Sequence, residues 1–297
     1  MDVRRLLEQW DLRPSKGLGQ NFLVDQAALE RIVAAAELTP DDIVLEVGAG
    51  LGTLTRRLAQ NAGHVVAVEL DQRLIPVLRS VLADFDNVTL VQGDILSLDP
   101  VALIGAANLQ SPTPNLQSPT PNLQYKVVAN LPYYITSAVL RHLLEANLKP
   151  QRMVVTVQRE VAERIVAQPG QMSLLAVSVQ FYGRPQLLFR IKPGSFYPPP
   201  EVESAVVRVD LHAAPSVPVG DTDTFFRVVR AGFAQRRKQL RNALAAGLGL
   251  SPEEAAARLR EVGVDPRRRA QTLSLEEWAR IVRALGTAAP RAFPKSR

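Results

Sequence analysis

The tetrapeptide Asn130-Leu131-Pro132-Tyr133 combines groups that together recognise one chemical object. An asparagine amide and the neighbouring main-chain carbonyls accept hydrogen bonds from N–H groups, and an aromatic ring stacks on a flat face. A planar base with an exocyclic amine offers both features. The apolar run 127–129 comes directly before the tetrapeptide, so the alternative is a strand that ends in a proline turn. The residues around it decide between the two interpretations.

Glycine and acidic residues follow three earlier apolar runs. Gly48 and Gly50 lie in the segment 46–52, where glycines allow a tight turn and a close approach of the backbone to a ligand. Glu69 ends the second run, where a carboxylate can accept both ribose hydroxyls, and Asp94 ends the third, where it can accept from an adenine amine. The glycine loop alone could be only a tight turn. The ordered set, with Asn130 ending the fourth run, predicts a nucleoside-containing cofactor at one edge of a sheet.

Two cofactors fit this edge, a dinucleotide and S-adenosylmethionine. A dinucleotide fold needs a second mononucleotide-binding half, whereas this chain continues with two strands and a helical tail. The tetrapeptide 130–133 has no role in hydride transfer but suits methyl transfer to an amine. We therefore expect S-adenosylmethionine.

The spacing of the apolar residues predicts an α/β fold. β-rich runs alternate with helical patterns from residue 26 to about residue 157, which is typical of βαβ units around a parallel sheet. The predicted strands are 43–47, 64–70, 88–92, 126–129 and 153–158, and the helices between them include 54–60, 74–83 and 138–146. Two more strands, 180–191 and 204–211, are expected to complete the sheet in antiparallel orientation. The prediction is a Rossmann-like sheet of the class I S-adenosylmethionine-dependent methyltransferase type, with an added C-terminal helical domain.

The C-terminal region is helical and basic. Beyond a proline-rich stretch near 213–220 the apolar period becomes helical, with helices at 252–262 and 274–285. We divide the chain into a catalytic domain, 1–215 with an N-terminal extension 1–25, and a small RNA-binding domain, 216–297. Residues 221–297 hold 16 lysines and arginines against 8 acids, which indicates a polyanionic partner. The cations assigned to RNA lie on one predicted helix and are Arg230, Arg236, Arg237, Lys238 and Arg241. Of these, Arg230, Arg237 and Arg241 are predicted to share one face of the helix.

A seven-residue repeat interrupts the α/β pattern. Asn-Leu-Gln-Ser-Pro-Thr-Pro occupies 108–114, recurs at 115–121 and begins again at 122–124. Two prolines per repeat exclude a coiled coil and predict an extended loop over 108–124. The loop enters the fourth strand at its amino end, away from the edge at which ligands bind in such sheets. We interpret it as a neutral duplication.

Composition excludes several classes of protein. The absence of cysteine excludes disulfides, thiol catalysis and cysteine-ligated metals. The three histidines, His64, His142 and His212, are scattered, and no metal site is predicted. No apolar stretch approaches the ~18 residues of a membrane span, and the N-terminus has no presequence pattern. We expect a soluble cytoplasmic protein.

The chain resembles the bacterial small-subunit (16S) ribosomal RNA adenine N6,N6-dimethyltransferase family, the kasugamycin-resistance methyltransferases, over nearly its whole length. Three segments carry the resemblance beside the motifs above, at 16–23, 195–204 and 233–242. The added repeat is the departure from the family pattern. By resemblance, the cofactor-binding positions are Asn21, Leu23, Gly48, Gly50, Glu69, Asp94 and Asn130.

The resemblance implies dimethylation of two adjacent adenosines in the 3′-terminal hairpin loop of 16S rRNA, within the immature 30S subunit, late in ribosome biogenesis. It also suggests a monomer. In this hypothesis the Asn130 oxygen and a main-chain carbonyl near Leu131 orient the adenine amine. Tyr133 stacks on the base, and Phe196 covers its other face.

Two alternatives stay open. One is the related enzyme of macrolide resistance, which methylates large-subunit rRNA. The other is a non-catalytic protein with the same fold, either a ribosome-assembly or RNA-binding factor or a descendant that acts in transcription. The intact tetrapeptide 130–133 favours catalysis.

Overall fold

The computed structural model of the chain describes residues 2–110 and 123–285. Its strands are β1 (Phe22–Leu23), β2 (Ile43–Val47), β3 (His64–Glu69), β4 (Val88–Gln92), β5 (Tyr125–Asn130), β6 (Arg152–Gln158), β7 (Gly183–Ile191), β8 (Phe196–Tyr197) and β9 (Ser204–Leu211). Its helices are α1 (Val3–Gln9), α2 (Gln26–Ala36), α3 (Thr53–Ala59), α4 (Ile75–Val81), α5 (Pro100–Gln110), α6 (Thr136–Glu145), α7 (Arg159–Ile165), α8 (Leu174–Tyr182), α9 (Thr222–Phe233), α10 (Leu240–Leu248), α11 (Pro252–Glu261) and α12 (Leu275–Leu285).

Seven strands form one mixed sheet in the order β4-β3-β2-β5-β6-β9-β7. The neighbours from β4 to β6 are parallel, so their carboxyl ends meet at one edge. β9 runs antiparallel to β6 and lies between β6 and β7. The predicted Rossmann-like sheet and the antiparallel position of 204–211 are confirmed. β1 and β8 form a separate two-stranded antiparallel sheet.

The central strands are buried on both faces because helices cover the sheet. Every residue of β2 and β3 is buried, which is why these strands are mostly apolar in sequence. On one face, α2 and α3 pack their apolar stripes against the sheet. The buried residues that the seven-stranded sheet contributes to that core are Val44, Val65, Ala67, Val128, Val154, Ile191 and Val206. This packing fixes the strand ends that carry the polar residues.

Two sequence-based boundaries are wrong. The predicted strand 180–191 begins only at Gly183, because the apolar run before it continues as α8, which Ser173 caps by accepting from Ala176 N–H at 3.1 Å. The predicted repeat loop begins as helix, since α5 extends to Gln110. Residues 111–122 of the repeat lie outside the described residues.

The described residues divide into two compact units, one within 1–163 and 184–211 and the other within 164–183 and 212–297. A single boundary after residue 215 does not capture this division, since 164–183 clusters with the helical tail. Within the second unit, the fully buried Trp278 packs against Gly232, where an added Cβ would come within 2.4 Å of the indole. Phe181 stacks on Phe225 at 4.6 Å between ring centroids. Throughout the two described ranges, the helices are too short or too polar to cross a lipid bilayer.

Candidate cofactor and active site

A cavity opens at the carboxyl edge of the parallel strands. Its empty space, counted together with the open solvent at its mouth, is about 740 Å³. Eight residues predicted from sequence line it, and four of these follow or end different strands: Gly48, Glu69, Asp94 and Asn130. The sheet therefore brings together the set that the motif spacing predicted, in the place where open α/β sheets bind ligands.

The glycine loop after β2 has the geometry of a ligand cradle. Gly48 and Gly50 have φ of +77° and +61°, a region that favours glycine over other residues. A Cβ on Gly50 would lie 3.1 Å from the Phe22 ring, and a Cβ on Gly48 would lie 3.5 Å from Pro132. The loop thus passes close to both the N-terminal segment and the tetrapeptide, and larger residues there would narrow the cavity.

Glu69 ends β3 with its carboxylate held by two main-chain amides. Gly50 N–H donates to Oε2 at 2.7 Å and Asp71 N–H donates to Oε1 at 2.8 Å. Burial raises the pKa of Glu69, and these two amides act against that rise. Each oxygen keeps a further lone pair, so the carboxylate can still accept hydroxyl groups from the cavity.

Asp94 follows β4 and is exposed at the cavity rim. Its Oδ1 accepts from Leu96 N–H at 3.0 Å, which fixes the side chain at the start of a short 3-10 turn. Among the described residues Oδ2 has no hydrogen-bond partner, so it is available to an amine donor.

Asn130 ends β5 with a fixed amide orientation. Its Nδ2 donates to the main-chain carbonyl of Asn21 at 3.1 Å. The Pro132 carbonyl already accepts from Ile135 N–H at 3.2 Å and from Thr136 Oγ1 at 3.3 Å. Across the described ranges the Leu131 carbonyl receives no hydrogen bond. Among the described residues, the Asn130 Oδ1 and the Leu131 carbonyl are therefore acceptors still open to an amine.

Tyr133 lines the cavity and is half-buried. Its hydroxyl and the hydroxyl of Ser204, which is fully buried at the start of β9, are 2.5 Å apart. Burial raises the pKa of Tyr133, which keeps the ring a neutral phenol. The contact fixes the ring through its hydroxyl and leaves ring surface toward the cavity.

Two predicted site residues lie in the core. Leu23 and Phe196 pair with each other between β1 and β8 and are only 2% and 3% exposed. Both belong to the apolar cluster on the sheet, and neither lines the cavity. The position of Phe196 does not support its predicted role of covering the second face of a base, because its ring is already packed between other side chains.

Several cavity residues were not predicted. Gln20 and Asp71 make a side-chain hydrogen bond at 2.9 Å between the N-terminal segment and the end of β3. Tyr134 is 57% exposed beside Gly19, and Leu70 is also exposed at the cavity. Tyr134 directly follows the tetrapeptide, and that adjacency was a usable signal. The contact between Gln20 and Asp71 joins residues 51 positions apart, and no sequence signal indicated it.

The predicted basic helix face is wrong. α9 ends at Phe233 and α10 begins at Leu240, with a turn between them in which Lys238 N–H donates to the Gln235 carbonyl at 3.0 Å. A face at positions i, i+7 and i+11 requires one continuous helix, so Arg230, Arg237 and Arg241 do not share it.

The cations of this region differ in exposure. Arg230 is exposed on α9, and the triplet 236–238 is exposed on the turn. Arg241 is partly buried on α10, and its Nε is buried without a hydrogen-bond partner in the described structure.

Two of the three histidines have structural side-chain contacts. His64 Nε2 lies 2.8 Å from Thr89 Oγ1, and His142 Nε2 lies 2.9 Å from the Leu98 carbonyl. In the part of the chain that the structure describes, no cluster of three or more histidine, aspartate or glutamate side chains is placed to hold a metal ion.

Comparison with known proteins identifies the family. The family model described as ribosomal RNA adenine dimethylase matches residues 13–286. The chain belongs to this family. It is 49% identical over 277 residues to the ribosomal RNA small subunit methyltransferase A of Dehalococcoides mccartyi, covering 93% of this chain and 90% of that protein. It is 46% identical over 282 residues to the protein of the same description from Pelotomaculum thermopropionicum, covering 94% of each.

A solved structure agrees with the fold. The crystal structure of the 23S rRNA methyltransferase ErmE superposes with a TM-score of 0.67 at 28% identity, over 90% of this chain and 100% of that one. This dimethylase is thus an S-adenosylmethionine-dependent enzyme with a Rossmann-like fold.

The residues present fit S-adenosylmethionine. The positive-φ glycine loop leaves room for backbone contact, the Glu69 carboxylate keeps acceptor sites for ribose hydroxyls, and Asp94 Oδ2 is available to an adenine amine. When bound, the cofactor supplies a methyl group on a positively charged sulfur, which is already activated for transfer.

Proposed function

We propose that this dimethylase methylates the exocyclic N6 of two adjacent adenosines in the 3′-terminal hairpin loop of 16S rRNA, within immature 30S subunits and as a monomer. The observation that carries the activity is the pair of acceptors, Asn130 Oδ1 and the Leu131 carbonyl, beside a nucleoside-type cavity. The choice of small-subunit RNA is supported by relatives of that description at 49% and 46% identity.

The protein's part in the reaction is to position the amine. An adenine amine is a poor nucleophile because its lone pair is delocalised into the ring. If its two N–H groups donate to Asn130 Oδ1 and the Leu131 carbonyl, the nitrogen is held in a pyramidal geometry with its lone pair free. Proximity and orientation then supply most of the rate. Tyr133, fixed by Ser204, stacks on the base, which must leave its own stack to enter.

The second unit is proposed to bind RNA through its exposed cations. Arg230 and the turn 236–238 are exposed, and no carboxylate within the described residues pairs with them. Phosphate contact by such a group positions the RNA without reading its sequence. Arg241 is a weaker candidate for direct contact because it is partly buried.

The main alternative is methylation of large-subunit RNA, because the structurally similar ErmE is a 23S rRNA methyltransferase. A third hypothesis is an RNA-binding assembly factor without catalysis. One assay separates the three: labelled S-adenosylmethionine is incubated with immature 30S, mature 30S or 50S particles from cells that lack these methylations.

The proposal expects label in N6,N6-dimethyladenosine of the 16S 3′-terminal hairpin, with immature 30S as the best substrate. Label in 50S particles would support the large-subunit rival. Binding without any transfer would support the assembly factor. An Asn130→Ala variant serves as the catalytic control.

A further inference from the structure

An N-terminal segment forms one wall of the cofactor cavity. We call residues 15–22 the strap. Its cavity-lining members are Leu18, Gly19, Gln20, Asn21 and Phe22. The strap makes two hydrogen bonds to the sheet edge. The Asn21 carbonyl of the strap accepts from the Asn130 side-chain amide, and the Gln20 side-chain amide of the strap donates to the Asp71 carboxylate. The strap must therefore be in place for the cavity to have its shape.

Gln20 is the side chain that joins the strap to the end of β3. Its Nε2 donates to Asp71 Oδ2 at 2.9 Å, while its Oε1 accepts from Ser15 N–H at 2.7 Å. Gln20 N–H also donates to the Ser15 carbonyl at 3.2 Å. One amide thus closes the turn of the strap and holds that turn against the protein body.

Asp71 is a fixed partner for this amide. Its side chain is 5% exposed, and Arg73 donates to it from Nη2 at 2.6 Å and from Nε at 2.9 Å. The Arg73 guanidinium lowers the pKa of Asp71, so the carboxylate is an acceptor only. The main-chain N–H of Asp71 in turn donates to Glu69 at 2.8 Å. The chain of contacts runs from the strap to the carboxylate assigned to the ribose.

We propose that Gln20 is a positioning residue that holds the strap closed over the cofactor through Asp71, and so sets the affinity for S-adenosylmethionine. This inference rests on the assignment of the cavity as the cofactor site. Gln20 acts on binding rather than on the reacting atoms, because the strap closes again when saturating cofactor favours the closed state.

The test inverts the donor and the acceptor. In Gln20→Glu a carboxylate faces Asp71, so the contact becomes repulsive, and in Asp71→Asn an amide N–H₂ can face the Gln20 N–H₂. In the double variant Q20E/D71N an amide donates to a carboxylate, which restores the hydrogen bond in the opposite direction. S-adenosylmethionine binding by calorimetry, kcat and the KM for the cofactor are measured for each variant, with Gln60→Glu, an exposed site, as the charge-matched control.

The expected result is about tenfold weaker cofactor binding in each single variant, the effect of one hydrogen bond. The double variant should recover to within about threefold of wild type, and kcat at saturating cofactor should stay within about threefold. Gln60→Glu should bind like wild type. Wild-type affinity in Q20E, or a double variant at least as weak as the weaker single, would overturn the proposal.

Folding and site assignment are controlled separately. Thermal unfolding of all variants, together with the neutral Gln20→Leu, distinguishes a loosened strap from a damaged fold, and Gln20→Leu should also bind about tenfold more weakly with an unchanged unfolding midpoint. Glu69→Ala tests the cavity itself. If Glu69→Ala binds normally, the cofactor-site assignment fails; if it binds weakly while Gln20→Leu binds normally, only the strap proposal fails.

Discussion

The side-chain amide of Asn130 donates to the main-chain carbonyl of Asn21 at 3.1 Å, across 109 positions of the chain. A carbonyl oxygen can only accept, so Nδ2 faces Asn21 and Oδ1 points away from that carbonyl. The strap therefore fixes the orientation of the residue assigned to the reacting amine. Cofactor binding and amine binding depend on the same segment.

The Tyr133–Ser204 contact predicts a coupled effect on turnover. Tyr133→Phe and Ser204→Ala each remove the same hydrogen bond between hydroxyls, so each should lower kcat about fivefold by loosening the ring. The kcat of the double variant should be no lower than that of the slower single variant, because the second change removes no further hydrogen bond. Steady-state kinetics of the four proteins measure the coupling, with Ser137→Ala, an exposed serine on α6, as control. Effects that multiply would show that the two hydroxyls act independently.

Cofactor binding should weaken as pH falls, and because of Glu69 the weakening should begin at a higher pH than it would with a glutamate of ordinary pKa. Burial raises the pKa of Glu69 above the ordinary glutamate value of 4.5, so the carboxyl gains a proton, and loses an acceptor site, as pH falls through that raised pKa. Glu69→Gln should bind more weakly and with a flatter pH profile. Calorimetry from pH 5 to pH 8 tests this, with the exposed Glu30→Gln as control. Identical profiles for wild type and Glu69→Gln would count against the ribose role.

Glu46 should make the fold less stable as pH rises. It is 1% exposed on β2, and burial, with the Glu69 charge added, raises its pKa to about 8. The unfolded chain ionises near 4.5 and the folded one near 8, so stability is lost between those values as pH increases. By pH 7 this loss is about 3 kcal/mol.

Glu46→Gln should remove that slope. Relative to wild type, its stability (the positive free energy of unfolding) should increase from pH 4.5 to pH 8, which denaturant titrations at several pH values can measure. The exposed Glu30→Gln is again the control, and it should leave the wild-type slope in place. A constant difference between Glu46→Gln and wild type would mean that Glu46 is ionised in the folded protein.

The exposed cations of the turn 236–238 should contribute to the salt dependence of RNA binding. Replacing all three by alanine should reduce the slope of log affinity against log salt by about 2 to 3, since each lost phosphate contact lowers it by nearly one. Replacement of three exposed arginines on other helices of the same unit, Arg260, Arg280 and Arg283, removes equal charge. If both triple variants lose the same slope, the turn has no special role.

The sequence was informative where geometry follows from topology. Gly48, Glu69, Asp94 and Asn130 could be assigned together because the carboxyl ends of parallel strands necessarily meet at one edge. Leu23 and Phe196 could not, because their burial depends on the pairing of β1 with β8, more than 170 positions apart.

Local breaks and long-range side-chain contacts were not predictable. The charged, helix-compatible residues after Phe233 gave no sign that α9 stops there, and the apolar residues 180–182 suit a strand as well as the end of α8. The Gln20–Asp71 contact has no periodic signature at all. Such contacts appear only when the folded chain is seen.

The most direct measurement is single-turnover methyl transfer to small-subunit RNA by Asn130 variants. Asn130→Ala removes the acceptor, and Asn130→Asp keeps the shape but places a carboxylate against the Asn21 carbonyl. Both should slow transfer about 100-fold or more with an unchanged unfolding midpoint, while Asn61→Ala, whose amide only caps the Arg57 carbonyl on α3, keeps the wild-type rate. Wild-type transfer by Asn130→Ala would contradict the central claim that this amide orients the adenine amine.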